Sequence, residues 1–340
     1  NVSTNVKGRT MMSDSKIKAT VFIPTWFGDQ YLDEVLKAVF DQKVSFKFEV
    51  LIHDTSSKDR TPEIIEKYAK QPANLRYRTI TKEEFGHGRT RNAGAHEANG
   101  EIVVYISQDV TPAHDRWLYE MVKPFELNER IVGVMGKQIP RAHCFPLLKS
   151  EINAVFGGFG PDFGTTIFYK DDFVKDQGTY DAISFYSDVN SAARKSFLTG
   201  EIAYQDVPYA EDQLFGRDVI DAGYLKAYAP RGSVFHSNDL KLSEYKLRMY
   251  DETIGLRKIG IPVDVPSIKT IVKMMFRGIV RDALNTVRDH EYSWKRKLYW
   301  LVVNPLFHIE KWRGVRLATK ADINDTDHFD KYSLEQRRSK

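Results

Sequence analysis

The sequence contains almost no cysteine and no long hydrophobic run. Its 340 residues include a single cysteine, Cys144, so no disulfide can form within the chain, and we expect a reducing, cytoplasmic compartment. No apolar stretch approaches the roughly 20 residues that a membrane-spanning helix requires, and no signal-peptide pattern is visible. A secreted disulfide-rich protein and a membrane-spanning protein are therefore not expected.

An excess of charge of one sign is also lacking. Lysine and arginine total 50 against 46 for aspartate and glutamate, which leaves a net charge of +4 at pH 7. This excess is too small to indicate nucleic-acid binding. Hydrophobic residues make up 42% of the chain, enough for a full core. No glycine-rich phosphate loop and no G-x-G-x-x-G follows the first apolar run, which disfavours a nucleotidyltransferase and a dinucleotide-dependent dehydrogenase.

Apolar runs alternate with stretches of helical spacing through the first third of the chain. Short buried strands are predicted at 19–24, 48–52, 75–80 and 102–106. Such alternation predicts an α/β fold with a doubly wound, mostly parallel sheet, in which ligands bind at the carboxyl ends of the strands.

The later part of the chain is less regular. Further strands are predicted near 131–140 and 225–236, and the pattern becomes helical, basic and aromatic beyond residue 262. We expect three parts, namely a flexible leader, an α/β domain and a helical C-terminal region, at residues 1–16, 17–261 and 262–340.

Polar side chains follow three of the predicted strands. Thr25, Asp54 and Asp109 each stand where an apolar run ends, so they should converge at one edge of the sheet. Taken singly, each aspartate also suits a turn or a helix cap. Two carboxylates in one crevice suit a ribose or base contact together with a hard cation such as Mg²⁺ or Mn²⁺.

The segment 85–95 carries two glycines and two arginines at the predicted start of a helix. Gly86 and Gly88 permit close backbone approach, and Arg89 and Arg91 flank the helix N-terminus. A helix N-terminus beside arginine is a natural anion site. The alternative is a solvated basic first turn, although arginine is electrostatically misplaced there unless an anion is present.

Two further positions suit proton or metal chemistry. Glu211 and Asp212 precede a predicted helix, where they act either as a cap favoured by the helix dipole or as a general base for a hydroxyl nucleophile. His236 ends a predicted strand. It is either a structural histidine or a ligand for a metal or phosphate.

The ordered set of these residues resembles family 2 glycosyltransferases of the GT-A fold, over about residues 18–236. The matching elements, in order, are Phe22-Ile23-Pro24-Thr25-Trp26, the strand ending at Asp54, Arg91-Asn92-Ala93-Gly94, the strand ending at Asp109, Glu211-Asp212 and His236. Within that family, four segments are similar to bacterial rhamnosyltransferases: 85–92, 107–109, 136–140 and 187–194.

The resemblance implies an inverting enzyme that uses a nucleotide-activated L-rhamnose donor, dTDP-β-L-rhamnose, and forms an α-L-rhamnoside in a cell-surface polysaccharide such as an O-antigen. It implies that Trp26 stacks on the nucleobase, that Asp54 hydrogen-bonds it and that Thr25 lines the same pocket. Arg91 is expected beside the nucleotide, with His87 and Arg89 as further candidates.

The resemblance also implies which residues hold the cation and the diphosphate. Asp109 and His236 are expected to flank a divalent cation on the diphosphate. The usual Asp-x-Asp is here Ser107-Gln108-Asp109, so the first carboxylate is missing, and we expect the cation to arrive largely with the donor. Ser107 and Gln108 are expected among the residues that bind the nucleotide sugar.

The remaining assignments concern the acceptor. Asp212 is expected to take the proton from the acceptor hydroxyl, with Glu211 as the alternative base. Asn190 and Arg194 are candidates for contacts on the acceptor side.

The C-terminal region is open to three interpretations. Its basic residues alternate with Met, Trp and Tyr, which suits an anionic membrane surface and thus a lipid-linked acceptor. The same face could form a homodimer or pack on the core. Two functional alternatives also stay open: a nucleotide-sugar-binding protein without catalysis, and a glycosyltransferase that uses a UDP-hexose.

Overall fold

The computed structural model describes residues 16–71, 74–238 and 240–338. The predicted leader, residues 1–16, lies outside these residues apart from Lys16. The strands are β1 (Ala19–Thr25), β2 (Phe48–Asp54), β3 (Leu75–Thr79), β4 (Ile102–Ile106), β5 (Thr111–Pro112), β6 (Ile131–Ile139), β7 (Thr166–Phe168), β8 (Asn190–Arg194) and β9 (Leu225–Phe235). The α-helices are α1 (Leu32–Phe40), α2 (Thr61–Ala69), α3 (His87–Glu97), α4 (Trp117–Val122), α5 (Pro146–Gly157), α6 (Gln177–Ser184), α7 (Lys195–Leu198), α8 (Glu211–Asp221), α9 (Leu242–Lys258), α10 (Ile268–Arg288), α11 (Trp294–Lys320), α12 (Thr326–Tyr332) and α13 (Leu334–Arg338).

Within the described residues, the nine strands form one mixed sheet. Its order is β3-β2-β1-β4-β8-β6-β9-β5, and β7 pairs with β9. β1 is parallel to β2 and β4, and β2 is parallel to β3. β8 lies between β4 and β6 and is antiparallel to both. The predicted alternation of strands and helices is confirmed through β4, and the antiparallel strand in the middle of the sheet is a feature that the sequence analysis did not foresee.

Helices cover both faces of the sheet because successive strand residues point to opposite sides. In β1, Val21 and Ile23 pack with α1, α2 and α4, whereas Phe22 packs with α3, α5 and α8. A third apolar cluster joins α5, α9 and α11 through Phe145, Tyr245, Phe307 and their neighbours. The C-terminal helices are thereby attached to the sheet domain.

Among the described residues, no helix combines the length and the apolar character needed to cross a bilayer.

Candidate active site

The candidate site lies at the carboxyl ends of β1, β2 and β4, beneath α8 and α9. It consists of three cavities with volumes of about 270, 400 and 590 Å³. We name them the Asp109 cavity, the Trp26 cavity and the Asp212 cavity after a residue that lines each. Arg248 lines all three, so the cavities adjoin one another along a single cleft.

The ends of β1 and β2 meet as the sequence predicts. Thr25 lies opposite Asp54 in the sheet register and donates a hydrogen bond of 2.8 Å to its Oδ1. Ser57 donates to the same carboxylate from its hydroxyl, at 2.6 Å, and from its backbone N–H, at 3.0 Å. Asp54 is buried and organises the turn after β2. Thr55 of that turn lines the Trp26 cavity, so Asp54 acts on the cavity wall through the turn.

Gln108 joins the loop after β4 to the loop after β1. Its Oε1 accepts from the backbone N–H of Trp26 at 2.7 Å, and its Nε2 donates to the backbone carbonyl of Trp26 at 2.8 Å. A Cβ on Gly28 would come within 2.5 Å of this amide, so the glycine leaves room for it. Gln108, the middle residue of the Ser107-Gln108-Asp109 segment, therefore positions the backbone of Trp26. Ser107, at the position where the first carboxylate of Asp-x-Asp is missing, lines the Asp212 cavity.

Asp109 lines the Asp109 cavity, and His236 lies beside it. His236 follows β9 directly, and its Nε2 lies 3.7 Å from Oδ2 of Asp109. Its Nδ1 lies 2.9 Å from Oε1 of Gln138, whose Nε2 donates to the Ser187 hydroxyl at 3.2 Å. Because Gln138 Nε2 donates to Ser187, its Oε1 faces Nδ1 of His236, and Nε2 is the ring nitrogen that faces Asp109.

An imidazole nitrogen and a carboxylate oxygen at this separation fit a divalent cation between them. The described residues hold no cluster of three or more His, Cys, Asp or Glu side chains suited to a metal. Two protein ligands leave most of the coordination shell open, so these residues suit a cation that shares its shell with phosphate oxygens.

The arginines of α3 are occupied by carboxylates of the chain itself. Arg89 pairs with Asp206 at 2.9 Å. Arg91 is buried and pairs through Nε with Asp188 at 3.0 Å and through Nη1 with Glu211 at 2.7 Å. Burial alone would lower the pKa of Arg91, but the two carboxylates raise it. Carboxylates of the chain thus supply the negative charge that favours arginine at the start of this helix. Arg91 also lines the Asp212 cavity, so its expected place beside the nucleotide, with Arg89 as a further candidate, stays a prediction.

His87 belongs to the same helix as these arginines, and its backbone carbonyl accepts a hydrogen bond from Arg91 at 3.0 Å. It begins α3 and lines both the Trp26 and the Asp212 cavities.

The adjacent carboxylates at the start of α8 have different surroundings. The backbone of Ala210 adopts a left-handed conformation with φ 62°, and the helix begins at the next residue. Glu211 is buried and held by Arg91. Asp212 lines the third cavity, where its oxygens accept backbone hydrogen bonds from Gln213 at 2.8 Å and Asp188 at 3.2 Å.

These surroundings alter the acidity of Asp212. Burial, and then the charges of Glu211 and Asp188, raise the pKa of Asp212 to about 8. A carboxyl group with a pKa near neutrality, exposed to a cavity, is suited to exchange a proton with a bound hydroxyl.

Arg248 is the site residue that sequence reasoning missed. Its Nε donates to Glu252 at 2.8 Å, one helical turn along α9, and its guanidinium lies 5.6 Å from the centre of the Tyr209 ring. In sequence, an arginine followed by glutamate four residues later is typical of a solvated helix surface. No local signal identifies this arginine, because only the packing of α9 over the sheet brings it to the cleft.

Asn190 and Arg194 do not reach the cleft. The Asn190 amide accepts from the Trp117 indole at 3.0 Å and donates to the Gly232 carbonyl at 2.7 Å, within the core. Arg194 donates to backbone carbonyls, among them that of Ile131 at 2.8 Å. The expectation of acceptor contacts is corrected: these contacts tie β8 to its neighbours.

The family model described as glycosyl transferase family 2 matches residues 20–199. The O-antigen chain rhamnosyltransferase RfbN of Salmonella typhimurium is 25% identical over 69% of this chain and 71% of its own length. WbaN of Salmonella anatum, described in the same words, is 28% identical over 68% and 70%.

Solved structures share the fold at low identity. The mannosyltransferase PcManGT of Pyrobaculum calidifontis, in complex with GDP-Man and Mn²⁺, superposes with a TM-score of 0.55 at 14% identity, covering 91% of this chain and 89% of its own. Residues 1–349 of S. aureus TarS, in complex with UDP-GlcNAc, give a TM-score of 0.52 at 16% identity over 93% and 79%. The expected GT-A fold is confirmed.

Proposed function

Since the chain belongs to glycosyl transferase family 2, we propose that it is an inverting transferase that moves L-rhamnose from dTDP-β-L-rhamnose to a hydroxyl of a lipid-linked saccharide during synthesis of a cell-surface polysaccharide. The rhamnosyl donor is supported by the two O-antigen rhamnosyltransferases among its relatives. The observation that carries the transferase chemistry is the difference between the two carboxylates at the start of α8. Both line the Asp212 cavity, but Glu211 is paired with Arg91, whereas Asp212 accepts backbone hydrogen bonds.

The Trp26 cavity is the proposed nucleoside site. Trp26 offers an aromatic face, and Thr55, Lys82 and His87 add polar groups around it. This arrangement combines an apolar wall with a few convergent polar groups, as nucleoside pockets do. Gln108 contributes indirectly, because it holds the backbone from which Trp26 projects.

The adjoining Asp109 cavity is the proposed diphosphate site. Asp109 and His236 would hold Mg²⁺ or Mn²⁺ there, and the cation when bound neutralises charge that develops on the departing diphosphate. Arg248 lines the same cavity. A guanidinium that meets all three cavities is placed to donate hydrogen bonds to the leaving phosphate oxygens.

Asp212 is the proposed general base. The acceptor hydroxyl lies in the Asp212 cavity, and its oxygen attacks the anomeric carbon of rhamnose from the face opposite the diphosphate. As the new C–O bond forms, the bond to the diphosphate breaks, and the nucleoside diphosphate leaves with the electron pair. The hydroxyl proton passes to Asp212. One displacement inverts the anomeric centre and gives the α-L-rhamnoside.

Two alternatives remain distinguishable by experiment. A protein that binds the nucleotide sugar without catalysis would give no product. A glycosyltransferase of another donor class, such as a UDP-hexose, would transfer a hexose. We would incubate the protein with each donor, the cation and a lipid-linked saccharide, and analyse the product by mass spectrometry and NMR. The proposal expects a gain of one deoxyhexose in α linkage. A gain of a hexose, or retention of the donor's configuration, would contradict it.

A further inference from the structure

Helices α10 and α11 form an antiparallel hairpin whose inner side is fixed by a buried polar network. Asp282 of α10 is fully buried and accepts from His308 at 2.8 Å and from Asn304 at 3.2 Å. His308 also packs against Gly278. Burial would raise the pKa of Asp282, but hydrogen bonds from His308 and other partners hold it below its usual value. These contacts fix the rotation of both helices about their axes.

The outer side of α10 is an exposed apolar stripe. Its members are spaced three or four residues apart, so they share one face. They are Val272, Phe276, Val280, Leu284 and Val287. Phe276 leaves 67% of its surface exposed. Among the described residues, no other helix covers this stripe, since α10 packs against α5 and α11 through its opposite side.

A matching stripe runs along α11. Its members are Trp294, Leu298, Val302, Leu306 and Ile309, and Val302 is 73% exposed. At about 100° per residue, each stripe is rotated by roughly 100–140° in the same sense from the line along which the two helices touch. Because the two helices are antiparallel, rotation in the same sense places both stripes on the same side of the hairpin. We call these ten side chains together the hairpin face.

Positive charge borders the hairpin face. Lys273, Arg277 and Arg288 of α10 lie along the outer edge of the apolar stripe, and Lys269 lies at its N-terminal end. Arg281 also lies on this side but pairs with Asp282 at 2.9 Å. The acidic side chain of α10, Asp282, is buried. The first turn of α11 adds Lys295, Arg296 and Lys297. The hairpin face thus combines apolar side chains, which suit a nonpolar environment, with a border of positive charge, which suits an anionic surface.

The positive charge indicates what covers the hairpin face. A second copy of the chain would bring two basic borders together, and like charges oppose such an interface. An anionic bilayer supplies a nonpolar layer and a negative surface at once. Trp294 and Tyr299, both exposed, are side chains that favour the boundary between these layers.

We propose that the hairpin face lies in the plane of an anionic membrane surface, with its apolar stripes in the boundary layer and its basic border on the lipid headgroups. This inference goes beyond the proposed function, because it does not depend on which sugar the protein transfers. This docking holds the protein at the membrane in which a lipid-linked acceptor would lie.

The test measures co-sedimentation of the full chain with vesicles of phosphatidylcholine alone and of phosphatidylcholine mixed with phosphatidylglycerol. We expect binding only to the mixed vesicles, with release at high salt. Phe276→Ser combined with Val302→Ser should weaken binding by about tenfold or more, since two apolar side chains that enter the membrane on binding are lost. Lys273→Glu combined with Arg277→Glu should abolish it. The matched control is Phe173→Ser with Lys175→Glu, in an exposed loop of the sheet domain, and it should bind as the wild type does.

A second measurement reports how deeply the hairpin face enters the bilayer. Lipids brominated on their acyl chains should quench tryptophan fluorescence, and Trp294→Phe should remove most of that quenching. Circular dichroism and donor turnover in solution verify that each variant is folded and keeps its cleft, which separates this test from that of the proposed function. Failure of the folded wild type to bind mixed vesicles would overturn the proposal. So would a concentration-dependent dimer in ultracentrifugation that the Phe276→Ser, Val302→Ser variant abolishes, since the face would then belong to a second copy.

Discussion

Replacement of Asp212 by asparagine should abolish transfer and at the same time stabilise the protein at neutral pH. The side chain lines the cavity at the start of α8, and loss of a general base costs about 10²–10⁴ in rate. The wild-type rate under limiting substrate should rise with pH until the pKa of Asp212, about 8, is passed, because the base must be ionised to accept a proton.

The stability effect follows from the same pKa. The native value, about 8, lies above the ordinary value of 3.8, so the native state holds this proton more tightly than the unfolded state does. Below about pH 4 the carboxyl is protonated in both states and does not lower the free energy of unfolding. As the pH rises from about 4 to about 8, the free energy of unfolding falls by at most ~1.4 kcal/mol per pH unit. Asparagine removes this loss and forfeits one hydrogen bond from the Asp188 N–H, worth ~1 kcal/mol. We expect a net gain of ~2 kcal/mol or more at pH 8.

The assay is urea unfolding of the wild type and Asp212→Asn at about pH 5 and about pH 8, beside turnover. Two variants in the same helix serve as controls. Glu211→Gln should lower stability at both pH values by ~3 kcal/mol, since it removes a buried partner of Arg91. Asp218→Asn, which loses only an exposed contact with Gln205, should change neither activity nor stability. If Asp212→Asn is inactive but destabilised at pH 8, the carboxylate is a structural cap and the assignment of the base is refuted.

Three further predictions concern the cleft. Asp109→Asn should raise the Mg²⁺ or Mn²⁺ concentration for half-maximal turnover, and Gln138→Leu should raise it by ~10-fold or more through the freed imidazole of His236; unchanged titrations in both would exclude the proposed cation position. Arg248→Gln should lower kcat by ~10²-fold with a smaller change in KM, because it removes a donor to the leaving group; an effect on KM alone would indicate a ground-state contact. Arg91→Met should cost ~3–5 kcal/mol in urea unfolding, since two buried carboxylates lose their partner, and full stability would disprove the buried triad.

The strands that run into the cleft are readable from the sequence because each is a short buried run ended by polar residues. The contact between Thr25 and Asp54 follows from that reading, since parallel neighbours bring their ends together. The direction of β8 is not readable in this way. An apolar run indicates a buried strand but carries no information on which neighbour it pairs with, or in which sense.

The partners of charged side chains account for most of what the sequence analysis missed. Arg91 and Glu211 are 120 residues apart in the chain, and no local pattern shows that they neutralise each other. The same limit hid Arg248, which reads as one half of a surface pair with Glu252. The choice between Glu211 and Asp212 likewise depended on the position of Arg91, which only the folded chain supplies.

The most direct test of the central claim is release of nucleoside diphosphate from dTDP-β-L-rhamnose, compared with a set of UDP-sugars, in the presence of Mg²⁺ or Mn²⁺ and a saccharide acceptor. The account predicts release from dTDP-β-L-rhamnose by the wild type and a loss of at least ~100-fold in Asp212→Asn. Release from a UDP-sugar and not from dTDP-β-L-rhamnose would contradict the donor, and equal release by the wild type and Asp212→Asn would contradict the mechanism.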